Sequence, residues 1–106
     1  MNTGLLPTDL AYMQALFARE PAIDRVWLFG SRATNTHHTG SDVDLVLMGE
    51  TLTEPVVARI HDILEEESPI PYFFDVLNWH TLTNEALKTA IRQTATLLYQ
   101  RTPSAP

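Results

Sequence analysis

Phe29-Gly30-Ser31-Arg32 and, with ten residues between Ser31 and the first acid, Asp42-Val43-Asp44-Leu45 form the stretch that decides the fold. An apolar run, Val26-Trp27-Leu28-Phe29, ends on a Gly-Ser turn, and a second apolar run opens with two carboxylates at i and i+2. Along a strand that spacing puts Asp42 and Asp44 on one face, roughly 6–7 Å apart at Cα. Two like charges held so close repel, and at least one pKa rises unless a cation lies between them. Small turns rich in backbone N–H groups bind phosphate, and paired carboxylates bind Mg²⁺. Together they describe a metal–nucleotide site.

Outward from this centre the chain alternates helix and strand. Residues 8–20 predict a helix, with Thr8 as N-cap after Pro7, an apolar stripe of Leu10, Met13, Leu16 and Phe17, and Pro21 as its stop. Ile23 to Phe29 reads as a strand, a short helix opens at Ser31-Arg32-Ala33, Asn35 to Gly40 is a polar loop, and Asp42 to Met48 is the second strand. Thr53-Glu54-Pro55 starts a helix whose apolar positions are Val56, Val57, Ile60, Ile63 and Leu64. Tyr72 to Leu77 is a third strand. Thr83 or Asn84 caps a last helix carrying Leu87, Ile91, Leu97 and Leu98 to about Tyr99. The order α-β-(α)-β-α-β-α predicts an α/β (α+β) fold, helices packed on one small mixed sheet, with room for one further short edge strand near the ends of those named. One domain spans 1–106, with its core at about 8–100 and a frayed tail at 101–106.

Asp75 raises the weight of the Asp-x-Asp pair. Ile70-Pro71-Tyr72-Phe73-Phe74-Asp75-Val76-Leu77 is an apolar run with one charge in its middle, and a buried acid there needs a cation. No Arg is obviously placed to supply it, whereas a divalent metal shared with Asp42 and Asp44 fits. Three carboxylates on adjacent strands suit a two-metal nucleotidyl-transfer site, with Asp75 placed to take a proton from the acceptor. Gly30 lets a phosphate approach the backbone closely, and Ser31 offers an N–H and a hydroxyl. Arg32 either touches the phosphates or is an exposed surface residue. His37 and His38 either meet a nucleotide or an acceptor or, the favoured reading, are exposed loop residues, and His61 and His80 read as structural, because neither has metal-ligand spacing with another His.

The bulk numbers narrow the class. With 106 residues, 44% hydrophobic and 19% charged, the chain is globular. Thirteen acids against seven bases, a net charge of −6 and no Lys/Arg cluster argue against general nucleic-acid binding. The chain has no cysteine, which excludes thiolate chemistry and disulfides. No apolar run approaches the ~20 residues of a membrane span, and the N-terminus carries no basic n-region, so a cytoplasmic protein is expected.

At Gly30, Ser31, Asp42, Asp44 and Asp75 the sequence resembles the minimal nucleotidyltransferases of the DNA polymerase beta superfamily, with Ile70-Pro71-Tyr72 and the stretch from Ile91-Arg92 to Leu98-Tyr99 extending the likeness over roughly residues 25–100. Two departures are Ala95, where the family often has Gly in its last helix, and His37 and His38, where basic residues are common. The resemblance implies a polymerase-beta palm-like nucleotidyltransferase fold. It also implies transfer of AMP from ATP to a hydroxyl with two Mg²⁺ ions. Asp42 and Asp44 would hold both metals, Asp75 one, and Gly30, Ser31 and Arg32 would bind the nucleotide. Minimal members resemble one half of a two-protein module. Their partner is a small helical HEPN-type toxin in a hetero-oligomer, and the nucleotidyltransferase acts as antitoxin by AMPylating a partner tyrosine. The alternative is a catalytically silent module that neutralises its partner by contact alone.

Overall fold

The computed structural model describes residues 3–102. Helix α1 spans Pro7–Ala18, β1 Arg25–Phe29, β2 Val43–Met48, α2 Glu54–Glu66, β3 Phe74–Asn78, α3 Glu85–Thr94 and β4 Thr96–Gln100, with single 3₁₀ turns at Gly30–Arg32 and Trp79–Thr81. One mixed sheet runs in the order β3-β2-β1-β4. β1 pairs antiparallel with both β2 and β4, and β2 pairs parallel with β3 through the α2 crossover that a parallel pair requires. The small mixed α/β fold expected from the sequence is the fold observed.

The strands alternate between two faces. Val26 and Leu28 of β1, Val43, Leu45 and Leu47 of β2, and Phe74 of β3 point to one side, where they form the main core with Met13, Leu16 and Phe17 of α1 and Val57, Ile60 and Leu64 of α2. The opposite side carries Trp27, Phe29, Val46 and Leu77, covered by Leu87 and Ile91 of α3. Among the described residues no helix is long and apolar enough to cross a membrane.

The principal correction concerns the C-terminal third. The last helix ends at Thr94, and Leu97, Leu98 and Tyr99 lie on β4 rather than on that helix. Ile91 and Leu98 are seven residues apart, a spacing that fits one helix face, and a short apolar run does not by itself separate strand from helix. Pairing decided it: without β4, β1 would present a bare edge to water. A register shift opposite Val26/Trp27 lets Leu98 enter the core and Tyr99 meet Phe17 at 5.8 Å between ring centroids, while Leu97 stays 42% exposed.

Local signals also moved. α1 is capped not by Thr8 but through Asp9, whose carboxylate accepts from the Leu6 N–H at 3.0 Å, with Pro7 in the first turn. Thr53 is the N-cap position of α2 but makes no side-chain capping bond, whereas Asn84 caps α3 by accepting from the Leu87 N–H at 3.0 Å. β1 starts at Arg25 and not Ile23, β2 at Val43 and not Asp42, and β3 at Phe74 and not Tyr72. Of the tail expected to fray, Arg101 is held, donating from its backbone N–H to the Asp24 carbonyl and from Nε to that of Ile23. Residues 103–106 lie outside the described residues.

Candidate active site

The end of β1 and the starts of β2 and β3 meet at one end of the sheet. Phe29 stands opposite Asp44 and Asp44 opposite Asp75, so Asp44 lies between the Gly30 turn and the neighbouring acid. Leu45 points into the main core, which turns Asp44 to the α3 side. Asp42 precedes β2 at the same parity and is exposed. The Val43 N–H donates to the Phe73 carbonyl at 2.9 Å and starts the β2–β3 register.

Asp44 is the half-buried member of this group. Burial first, then the negative charges of Asp75 and Asp42, push its carboxyl up to about 6, against the opposing pull of Arg32. Crowded hard-oxygen donors of one sign are the chemistry that a divalent cation relieves, so the donor set fits Mg²⁺. Among the described residues no group of three or more His, Asp or Glu side chains is already arranged to hold a metal ion.

Asp75 itself, on the edge strand β3, is exposed, while Phe74 beside it turns into the main core. The expectation of a buried acid in the middle of an apolar run is therefore overturned. What ties Asp75 to the site is its register with Asp44, not a burial penalty of its own.

Gly30 is required by geometry. Its φ is +74°, and a Cβ there would stand 2.3 Å from Asp44 Oδ2. Only a residue without a side chain lets β1 close against that carboxylate. Ser31 follows in the 3₁₀ turn, its carbonyl accepting from the Thr36 N–H at 2.9 Å.

Arg32 is neither exposed nor aimed at solvent. It is 1% exposed, its Nε and Nη2 donate to the Ser41 carbonyl at 3.1 and 2.7 Å, and its Nη1 donates to the Thr3 carbonyl at 2.8 Å. Its guanidinium also lies 4.3 Å from the centre of the Tyr72 ring. Ser41 immediately precedes Asp42, so this buried cation fastens the far end of the loop to the Gly-Ser turn. A lone Arg after Gly-Ser carries no mark of this in the sequence, because its partners are carbonyls 9 and 29 residues away.

The histidines divide. His37, expected in solvent, is half-buried and encloses an Nδ1 without a hydrogen-bond partner, while His38 is exposed. His61 Nε2 sits 3.2 Å from the Phe74 carbonyl and His80 Nε2 accepts from the Gly49 N–H at 3.0 Å, so both rings engage the backbone.

One feature escaped the sequence altogether. Beside Gly30, a cleft of about 410 Å³ opens between the end of β1 and α3. Its helical wall includes Ala90, and nothing in an exposed Ala on an amphipathic helix announces the wall of a cleft.

A turn closed on a half-buried carboxylate, that carboxylate in register with another, and a small mixed sheet with two helices on one face and one on the other define a protein of the nucleotidyltransferase class. Residues 12–104 match the family described as Polymerase beta, Nucleotidyltransferase, and the chain belongs to that family. Among solved structures it is similar to one described as a toxin-antitoxin with AMP-PNP, at 18% identity and a TM-score of 0.69 over 91% of this chain and 75% of that one. It is also similar to the toxin-antitoxin MntA-HepT, at 15% identity and a TM-score of 0.61 over 89% of this chain and 69% of that one. At such identities the likeness is one of fold. No curated protein matches the chain in sequence.

Proposed function

We propose that this nucleotidyltransferase transfers AMP from Mg²⁺-bound ATP to a hydroxyl, a tyrosine of a cognate HEPN-type helical toxin, and so acts as a cytoplasmic antitoxin within a hetero-oligomer. The observation that carries the reading is the register of Asp44 with Asp75 beside a glycine whose missing side chain keeps the Asp44 carboxylate open. Support for the setting comes from the fold shared with structures described as toxin-antitoxin pairs, one of them with AMP-PNP.

Asp42, Asp44 and Asp75 would hold Mg²⁺, two ions in the fullest form of the site, and the bound metal would supply charge neutralisation of the triphosphate and a lower pKa for the acceptor hydroxyl. Gly30 admits a phosphate to the backbone, and Ser31 donates to it. Arg32 serves the nucleotide from beneath, by fixing the loop that ends at Asp42. Asp75, which is exposed, would accept the acceptor's proton and pass it to water.

The test uses ATP labelled on the α-phosphate, Mg²⁺ and a lysate of the source cells, with wild type beside Asp42→Asn/Asp44→Asn. A single labelled band in the wild-type lane alone establishes transfer and identifies the acceptor. No label in either lane defeats the enzymatic reading. If the doubly substituted protein then still suppresses its partner's toxicity, contact alone is the working principle.

A further inference from the structure

We propose that the cleft between the end of β1 and α3 receives the nucleoside half of the triphosphate and holds it without reading the base. This rests on the transfer reading above and extends it to the class of substrate.

The cleft measures about 410 Å³, within the roughly 300–1,000 Å³ of small-molecule sites. Phe29 and Gly30 form one wall and Leu87, Ala90 and Ile91 of α3 the other, with Thr34 and Thr94 completing the lining. Gly30 belongs to both sites: it lies against the Asp44 carboxylate and it also lines the cleft. A group covalently joined to phosphates at the Gly-Ser turn therefore reaches the cleft directly.

The chemistry of the lining sets what it can recognise. Five of its residues present only hydrocarbon or backbone, and both hydroxyls are already engaged. Thr94 Oγ1 donates to the Ala90 carbonyl at 2.6 Å, and Thr34 Oγ1 lies 3.3 Å from the Gly30 carbonyl and 2.9 Å from Thr36 Oγ1. Discrimination by factors of about 10⁴–10⁵ comes from site groups left unpaired by the wrong ligand, whereas apolar pockets separate similar ligands only weakly. Here no side-chain donor is left to be unpaired. The base is held by apolar contact on its flat faces, so ATP, GTP, CTP and UTP are all accepted, the larger purines somewhat more tightly.

The test is calorimetric binding of the Mg²⁺ complexes of ATP, GTP, CTP, UTP and inorganic tripolyphosphate to wild type, Ala90→Leu and Ala90→Trp, with circular dichroism to confirm folding. Ala90 is exposed, so the larger side chains enter the cleft from the surface of α3. The four nucleotides are expected to bind within about tenfold of one another, and each more tightly than tripolyphosphate. Ala90→Trp weakens all four by about tenfold or more and leaves tripolyphosphate unchanged, and Ala90→Leu does the same to a smaller degree. Selection of one base by about 10³-fold or more overturns the proposal. So does nucleotide binding indifferent to both Ala90 variants, or tripolyphosphate binding as tightly as ATP, and these leave the transfer reading standing. Failure of wild type to bind any of the five overturns both. Should Ala90→Trp not fold, Ala90→Leu decides alone.

Discussion

On one face of the sheet Val26, Leu28, Val43, Leu45 and Leu47 meet α1 and α2 with 0–1% of their surface exposed. On the other face Trp27, Asp44, Leu77 and Asp75 stand partly open, with α3 as the helical cover. The first face is close-packed hydrocarbon and accounts for stability. The second keeps a cleft, a half-buried acid and a buried indole Nε1 of Trp27 that lacks a hydrogen-bond partner. On the α3 side a half-buried acid and an unpartnered indole N–H stand beside an open cleft, and the close-packed opposite side compensates their cost. Since successive residues alternate faces, the two roles are held by neighbours in sequence, Asp44 and Leu45.

That pairing is the sharpest place to break the comparison. Asp44→Asn is expected to reduce nucleotidyl transfer by about 10³-fold or more, followed as label incorporated into the acceptor, while the protein stays folded. Leu45→Ala is expected to do the reverse. It deletes a fully buried side chain and costs roughly 2–5 kcal/mol in urea denaturation, while the folded fraction keeps its transfer rate. If both variants lost stability and activity in equal measure, the two faces would not be separable.

Arg32 bridges the division, because it is buried yet fastens the loop that ends at Asp42. Arg32→Met leaves the Ser41 and Thr3 carbonyls without their donor and is expected to cost roughly 2–3 kcal/mol in denaturant, with a fall in Mg²⁺ affinity measured by titration calorimetry. Arg32→Lys would restore the charge but not the fork over Ser41, and should recover part of the stability and less of the metal binding. Recovery of both by lysine would reduce Arg32 to a simple counter-charge.

The smallest effect is a pH trend in the metal-free protein. The Asp44 carboxyl titrates near 6 in the folded chain against an ordinary 3.8, so the folded state binds the proton more tightly between those values. This group's contribution to stability therefore falls as pH rises from about 4 to about 6 and is level above that. Solvent screening at a half-exposed site keeps the trend shallow. Thermal melts of wild type should show the decline and those of Asp44→Asn should not. An identical slope in both would place the charge burden elsewhere.

The site was legible where the chemistry is local. Gly30-Ser31 and Asp42-x-Asp44 lie close along the chain, and alternation along a strand fixes which way they point. The apolar surroundings of Asp75 in sequence suggest burial, but its side chain is exposed, and only the register with Asp44, which no local signal gives, sets the two acids side by side. The stretch that forms β4 fits a helix locally, because Leu98 stands seven residues after Ile91 and continues its helical face, and the open edge of β1 that makes it a strand is not a local property.

By itself, then, the sequence determined the small α/β class, the order of elements as far as α3, the glycine at the turn and the acids of the carboxylate end. Those are consequences of periodicity, special backbone conformations and charge, all of which act over a few residues. Only the tertiary structure decided the fourth strand, the burial of Arg32 beneath Tyr72 and the cleft between β1 and α3. Each of these arises from segments far apart in the chain meeting in space, where the need to pair an edge, bury a cation on carbonyls or leave a gap under a helix overrides any preference that the local sequence expresses.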